Sequence, residues 1–569
     1  MKDGKINQFS IWLNILKRMK VDSLNNYFKI KPFFCHFLSM LCLIATGQTS
    51  LAQTSRPNIL VCIADDASYP FMSAYGCKWI KTPGFDWVAQ HGILFNNAYT
   101  PNAKCGPSRS CIITGRNSWQ LEDAANHWAY FPAKFKTYAE ALKEHGYYTG
   151  YTGKGWAPGI PGKIDGKERE LTGTPFERIK TNSPTKEISN TDYAANFKQF
   201  MKTRPKSKPF CFWYGGHEPH RGYAYSSGIK KGGMKLTDID KVPPIWPDND
   251  SVRTDMLDYA FELEYFDQHL VEILKTLKES GELDNTLIIV TADNGMSFPR
   301  VKGQEYDLSN HEPLAIMWPN GIRNPGRIVN DFVSFIDFAP TILELAGLTE
   351  KEAGMQPITG KSLTDIFYSS KSGTVNPERS YVLIGKERHD VGRPHDWGYP
   401  IRGIVTKDYL YLQNFETNRW PAGNPETGYL NVDGSPTKTV CIEAGRNLET
   451  IRYWQWSFGK RNSQELYQLH SDRACLNDLS SNILYKKELD LLSQKLYTEL
   501  RKQKDPRMFG KGDVFDQYPY ADIGGRNFYE RYMRSDKNLK WDWVNNSDFD
   551  TSYLKSIVPV NNSTIIKLK

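Results

Sequence analysis

The chain has 569 residues, 40% hydrophobic and 24% charged, which is more than one small core needs and typical of a soluble globular fold. Its formal charge of +8 is concentrated at the start: residues 1–52 hold seven Lys/Arg and two Asp/Glu (+5), leaving 65 basic against 62 acidic (+3). So weak a bias excludes broad electrostatic binding to nucleic acid or to a membrane surface, and any anion recognition must be local.

In chain order, Lys29 and Lys31 precede an apolar stretch from Pro32 to Ala45, and small residues lead to Ser50-Leu51-Ala52. This pattern predicts a signal peptide over 1–52, export to a periplasm or the exterior, and no membrane span after cleavage. Seven cysteines follow: Cys62, Cys77, Cys105, Cys111, Cys211, Cys441 and Cys475. An odd number in an exported chain leaves at least one thiol unpaired, and no CxxC or Cys/His spacing suggests zinc.

From Pro57 to about Ser370, short apolar runs alternate with amphipathic segments. Asn58–Ala64 is a continuous apolar run ending in Asp65-Asp66 and reads as a buried strand. Thr137–His145 reads as a helix with a Thr137/Glu140 capping box and Gly146 beyond its end. Strands are expected at Tyr147–Thr152 and Pro209–Tyr214, then a helix over Asp255–Leu277 that Gly281 breaks. Asn285–Thr291 is another buried strand, followed by Asp293-Asn294. Strands alternating with helices predict a largely parallel α/β sheet covered on both faces, whose ligands bind beyond the carboxyl ends of the strands. Residues 53–373 are therefore expected to form a catalytic domain, with the two acidic pairs able to meet at that edge.

After about 374 the runs shorten, at Tyr381–Ile384, Ile401–Val405 and Tyr409–Leu412, with a helix near Lys486–Lys502. This predicts a smaller antiparallel subdomain over 374–569, whose aromatic tail from Asp505 has no assigned fold.

Cys105-Gly106-Pro107-Ser108-Arg109, followed by Thr114-Gly115, is the sharpest local signal. Here the chain resembles the type I sulfatase family, with its Cys-x-Pro-Ser-Arg signature. The resemblance implies an alkaline-phosphatase-like fold and conversion of the cysteine to formylglycine by a maturation enzyme. Its hydrated diol attacks sulfur, and the second hydroxyl then expels sulfate. A helix after Cys105 would place this group at a helix N-terminus, which favours a bound anion.

The resemblance further implies that Asp65, Asp66, Asp293 and Asn294, together with the modified Cys105, hold a metal. Hard oxygen donors without His or thiolate suit Ca2+. Arg109 would anchor the diol, Lys154 and Lys302 would contact sulfate, and His217, in His217-Glu-Pro-His220-Arg221, would protonate the leaving group. His220, Trp156, Glu312 and His389 are placed at the substrate. Trp156 stands where the family usually carries a histidine, and its ring is expected to offer a sugar a stacking face. Among subfamilies the likeness is greatest to N-sulfoglucosamine sulfohydrolase, through His217–Arg221, Asn294–Pro299, Asn310–Leu314 and His389-Asp390. The expected substrate is thus a sulfated carbohydrate of glycosaminoglycan type, with N-sulfoglucosamine favoured and O-sulfated galactose or N-acetylhexosamine as the alternative. A phosphatase of the same architecture would present Ser or Thr and more His ligands. A non-catalytic glycan-binding relative would explain Trp156 but not the intact nucleophile and acidic pairs.

Overall fold

The computed structural model describes residues 56–534 and 539; the segment read as a signal peptide lies outside them. A central sheet has eight strands: β1 (Asn58–Ala64), β2 (Ile93–Phe95), β3 (Tyr148–Gly153), β4 (Thr174–Pro175), β5 (Phe210–Gly215), β6 (Thr286–Ala292), β7 (Leu314–Met317) and β8 (Arg327–Val329). Their order is β8-β2-β7-β6-β1-β5-β3-β4. β1 pairs in parallel with β5 and β6, and β7 alone runs against the rest.

Every residue of β1 is buried, because successive side chains enter two different cores. Leu60, Cys62 and Ala64 join one core with Val252, Met256, Tyr259, Leu263 and Phe266. Ile59, Val61 and Ile63 join the other with Cys111, Ile112, Ile113, Ala141 and Leu142. The helices supplying these faces include α1 (Cys105–Thr114), α2 (Tyr138–Glu144), α3 (Tyr193–Thr203) and α4 (Asp250–Glu279). The fold is thus α/β with helices on both faces of a mostly parallel sheet, as the alternating pattern predicts.

The capping box at the start of α2 is present, with Thr137 Oγ1 accepting from Glu140 N and Glu140 accepting from Thr137 N. α4 begins five residues earlier than the apolar pattern suggests. Asn249 Oδ1 accepts from Val252 N at 3.0 Å, so a side-chain cap sets the boundary before the hydrophobic stripe begins.

The C-terminal region has a four-stranded antiparallel sheet in the order β9 (Tyr381–Lys386), β10 (Ile401–Thr406), β11 (Tyr409–Asn414), β12 (Gln464–Gln468). One face receives Leu489, Leu496 and Leu500 of α5 (Lys486–Lys502). Ile384, Ile401, Leu410 and Leu412 on the other meet Tyr99, Tyr306 and Phe332 of the α/β part. The described tail beyond Asp505 contains short helices, among them Phe528–Met533. None of the seven described cysteines is disulfide-bonded.

Candidate active site

β1 and β6 are adjacent and in parallel register, with Ala64 opposite Ala292. The residues that follow each strand therefore emerge side by side, although 227 positions separate Asp66 from Asp293. Asp293 N donates to Ala64 O at 3.2 Å, and Asp66 N donates to Asp293 Oδ1 at 3.1 Å. Asp66 has φ +76°, a left-handed conformation that short polar residues tolerate better than most. The carboxylates of Asp65, Asp66 and Asp293 can place one oxygen each within 4.8 Å of the others. Asn294 Nδ2 donates to Asp66 Oδ1, while Asn294 Oδ1 is buried without a hydrogen-bond partner.

Cys105 is the first residue of α1 and lies 3.8 Å from Asp66 Oδ1 through its Sγ. Burial, above all, pushes its thiol well above the usual range, so the unmodified side chain is held as a neutral thiol, a weak nucleophile. Gly106 leaves the helix start close to a neighbouring loop: a Cβ there would meet Pro158 O at 3.2 Å. One turn along α1, Arg109 is fully buried and gives Nε to Asp293 Oδ2 at 2.8 Å, with Nη1 on Lys154 O at 2.6 Å. In this structure it organises the carboxylates and the loop after β3.

Gly153 ends β3 at φ +76°, with a hypothetical Cβ 1.9 Å from Gly215 O, so only glycine lets the chain turn there. The turn delivers Lys154 Nζ to both Asp65 oxygens, at 2.9 and 2.6 Å. Lys302 Nζ reaches Asp66 Oδ2 at 2.6 Å and Asp433 Oδ2 at 3.1 Å. Lys154, Lys302 and Arg109 thus face Asp65, Asp66 and Asp293. Burial raises all three acids, but Lys154 and Arg109 overcome it at Asp65, which is held well below the ordinary range. Asp293 is pushed up to about 7 by its burial, against Arg109.

Both histidines follow β5. A ring nitrogen of His220, a carboxylate oxygen of Asp65 and Cys105 Sγ all lie within 4.8 Å of one another, and His220 Nε2 is 4.0 Å from Asp66 Oδ2. His217 also lines the cavity; burial holds its imidazole down to about 4, against the charge of Asp65. Burial, with Lys302 adding to it, holds the His220 imidazole down to about 3.

These groups open into a cavity of about 530 Å³ whose lining includes Asp65, Lys104, His127, Lys154, His217, His220, Lys302 and Asp433. Asp433, Lys104 and His127 belong to none of the motifs above. Lys104 Nζ binds Asp390 Oδ2 at 2.8 Å, and Asp390 Oδ1 binds His127 Nδ1 at 2.9 Å. Asp433 lies 131 positions from Lys302; nothing local in the sequence marks it.

Three residues expected at the substrate are elsewhere. Trp156 is 8% exposed, donates Nε1 to Ser110 Oγ at 2.7 Å and packs edge-on against Phe131, so it is core rather than a sugar platform. The tryptophan on the cavity wall is Trp128. Glu312 is fully buried behind the acidic cluster, where burial and then the charges of Asp293 and Asp66 push its carboxyl well above the ordinary range. His389 is fully buried, bonded to Asn102 Oδ1 at 2.8 Å and to Gly303 O at 3.1 Å. Each fills a packed interior position, so none presents a face to the cavity.

The sulfatase family model matches residues 57–348, and the chain belongs to the sulfatase family. A second model, the C-terminal region of N-sulphoglucosamine sulphohydrolase, matches residues 302–420. An ulvan-active sulfatase of Formosa agariphila is 28% identical over 80% of this chain and 82% of its own length. Human N-sulphoglucosamine sulphohydrolase is 28% identical over 66% of this chain and 81% of its own. A protein solved in complex with its substrate D-glucosamine-2-N,6-O-disulfate shares the fold, with a TM-score of 0.56 at 20% identity over 79% of this chain and 98% of that one. The protein is a sulfuric ester hydrolase with an alkaline-phosphatase-like fold.

Proposed function

We propose that this is an exported sulfatase that removes sulfate from carbohydrate, N-sulfoglucosamine being favoured, through formylglycine at position 105 and a bound Ca2+. The observation that carries the reading is the convergence of the ends of β1 and β6 with the start of α1, beside a cavity that Asp65, Lys154, His220 and Lys302 line. Human N-sulphoglucosamine sulphohydrolase and the ulvan-active enzyme, both named for saccharide substrates, support the carbohydrate class.

The donor set fits a hard cation: three clustered carboxylates and a buried amide oxygen with no protein partner. Asp65, Asp66, Asp293 and Asn294 would hold it, and it would supply charge that draws electrons from a sulfate oxygen. Formylglycine would supply, as its hydrate, the attacking hydroxyl and a route for sulfate to leave.

The chain's own groups divide the remaining work. Lys154 and Lys302, ion-paired to Asp65 and Asp66, offer ammonium groups at the edge of the carboxylate cluster where an anionic sulfate can bind. Arg109 keeps Asp293 in place. A ring nitrogen of His220 lies within 4.8 Å of Cys105 Sγ, which suits it to move a proton at the bridging oxygen or nitrogen, and His217 lines the same cavity. Sugar hydroxyls and amines leave poorly without that proton.

The test is sulfate release by mature protein, co-expressed with a formylglycine-generating enzyme, from N-, 2-O-, 3-O-, 4-O- and 6-O-sulfated saccharides. Mass spectrometry of the Cys105 peptide accompanies it. Release confined to protein carrying the aldehyde supports the reading. An active protein with only free thiol at 105 overturns it.

A further inference from the structure

The cavity lining also carries three glutamates. Glu262 projects from α4, Glu218 follows β5, and Glu187 comes from the segment before α3; all three line the same cavity. Glu262 is 1% exposed, yet neither of its carboxylate oxygens has a hydrogen-bond partner. Arg221, the guanidinium on this wall, does not serve it, since Nη1 and Nη2 bind Asp255 at 2.7 and 2.8 Å and Nε binds Ser297 O at 2.8 Å. Glu218 is equally buried but satisfied, accepting from Ser189 N at 2.8 Å and Tyr193 Oη at 2.9 Å.

A buried carboxylate without a donor costs several kcal/mol, and such groups are retained where water, an ion or a ligand completes them. Apolar side chains do surround neighbouring positions of α4: Tyr259, Leu263 and Phe266 are all fully buried in the core. A leucine or alanine at 262 would suit that packing without the desolvation penalty. Burial, followed by the nearby Glu218 charge, raises the Glu262 carboxyl well above the ordinary range, the direction that a cationic or hydrogen-donating ligand group would reverse.

We infer that Glu262 is a specificity-determining residue that accepts a hydrogen bond from an amine or hydroxyl of the sugar bearing the scissile sulfate. The inference rests on the carbohydrate-sulfatase reading. Lys154, Lys302 and Glu262 all line this one cavity. It therefore suits a saccharide with an anionic sulfate at one position and donor groups at another.

The test uses full-length mature protein as wild type, Glu262→Gln and Glu262→Ala, with thermal unfolding to show that each variant is folded. Binding of glucosamine, N-acetylglucosamine and glucose is followed by ligand-observed NMR, which needs no turnover. Hydrolysis of the preferred sulfated saccharide is compared with that of 4-nitrophenyl sulfate, which has no sugar. Expected results are binding of at least one sugar by wild type, weakened tenfold or more in Glu262→Ala. The saccharide kcat/KM should fall at least tenfold more than that for the aryl sulfate, mainly through KM. Glucosamine binding alone identifies an ammonium as the donor, and equal binding of glucose identifies hydroxyls. Equal losses on both sulfate substrates, or no binding of any of these sugars by wild type, would overturn the inference. Glu262-dependent sugar binding in a protein that releases sulfate from nothing would instead reject the sulfatase mechanism and leave this subsite standing.

Discussion

Asn294 Nδ2 donates to Asp66 Oδ1 at 2.7 Å across 228 residues of chain. This bond holds the amide beside the carboxylate cluster and leaves its Oδ1 buried with no hydrogen-bond partner. It joins two strand ends that local sequence cannot relate.

Metal removal should lower stability as well as activity. Without a cation, Asp65, Asp66 and Asp293 repel one another across a short distance, and Lys154, Lys302 and Arg109 offset this only in part. At a hundredfold excess over its dissociation constant, a cation binding the folded state alone adds about 2.7 kcal/mol. Chelator-treated protein should unfold at lower temperature than protein in saturating Ca2+, with Asp66→Ala losing that difference. Identical midpoints in wild type would contradict the metal assignment.

His220→Ala should lower kcat by about 10²–10⁴, the usual range for loss of a proton-transfer group. His217→Ala should cost about tenfold or less, as expected for a residue at the cavity wall. Substrates with a good leaving group should partly restore His220→Ala, because they need no proton. The reverse ranking of the two variants would return the acid role to His217.

Trp156→Ala should fail through stability. The ring is core, and truncating a buried aromatic costs about 3–5 kcal/mol. Trp156→Phe keeps most of the packing, loses only the Ser110 hydrogen bond, and should fall by about 1 kcal/mol with KM little changed. A large rise in KM in folded Trp156→Phe would instead mean that the indole touches substrate.

The C-terminal region should be acid-sensitive at Glu387. Arg402 and Arg507 both bind this buried carboxylate at 2.6 Å, and Arg402 also binds Asp505 at 2.7 Å. Burial opposes the charge, but the two guanidinium groups outweigh it and hold the carboxyl below its ordinary value of 4.5. A lowered folded-state value means that stability is complete above 4.5 and is lost as pH falls through the folded value. Glu387→Gln should therefore cost about 3–5 kcal/mol at neutral pH and flatten this acid limb in urea unfolding curves. An unchanged limb would show that the network is not linked to folding.

Most elements were legible because their signals are local. Asn58–Ala64 matches its strand to the residue, and Lys486–Lys502 matches its helix, since an apolar run or a 3.6-residue stripe carries its own burial pattern. The start of α4 was not, because Asn249 caps it before any apolar residue appears. Trp156, Glu312 and His389 were misplaced because residue type does not reveal which way a side chain faces.

The sequence by itself determined the family and marked the Cys105 motif and the acidic pairs as candidates, since each is a contiguous string of residue types. Only the tertiary structure decided which histidine stands beside Cys105, that Asp433 pairs with Lys302, and that Glu262 is buried without a donor. Those relations depend on register between strands and on the faces that helices present, and such distances are set by packing of the whole chain rather than by neighbours along it.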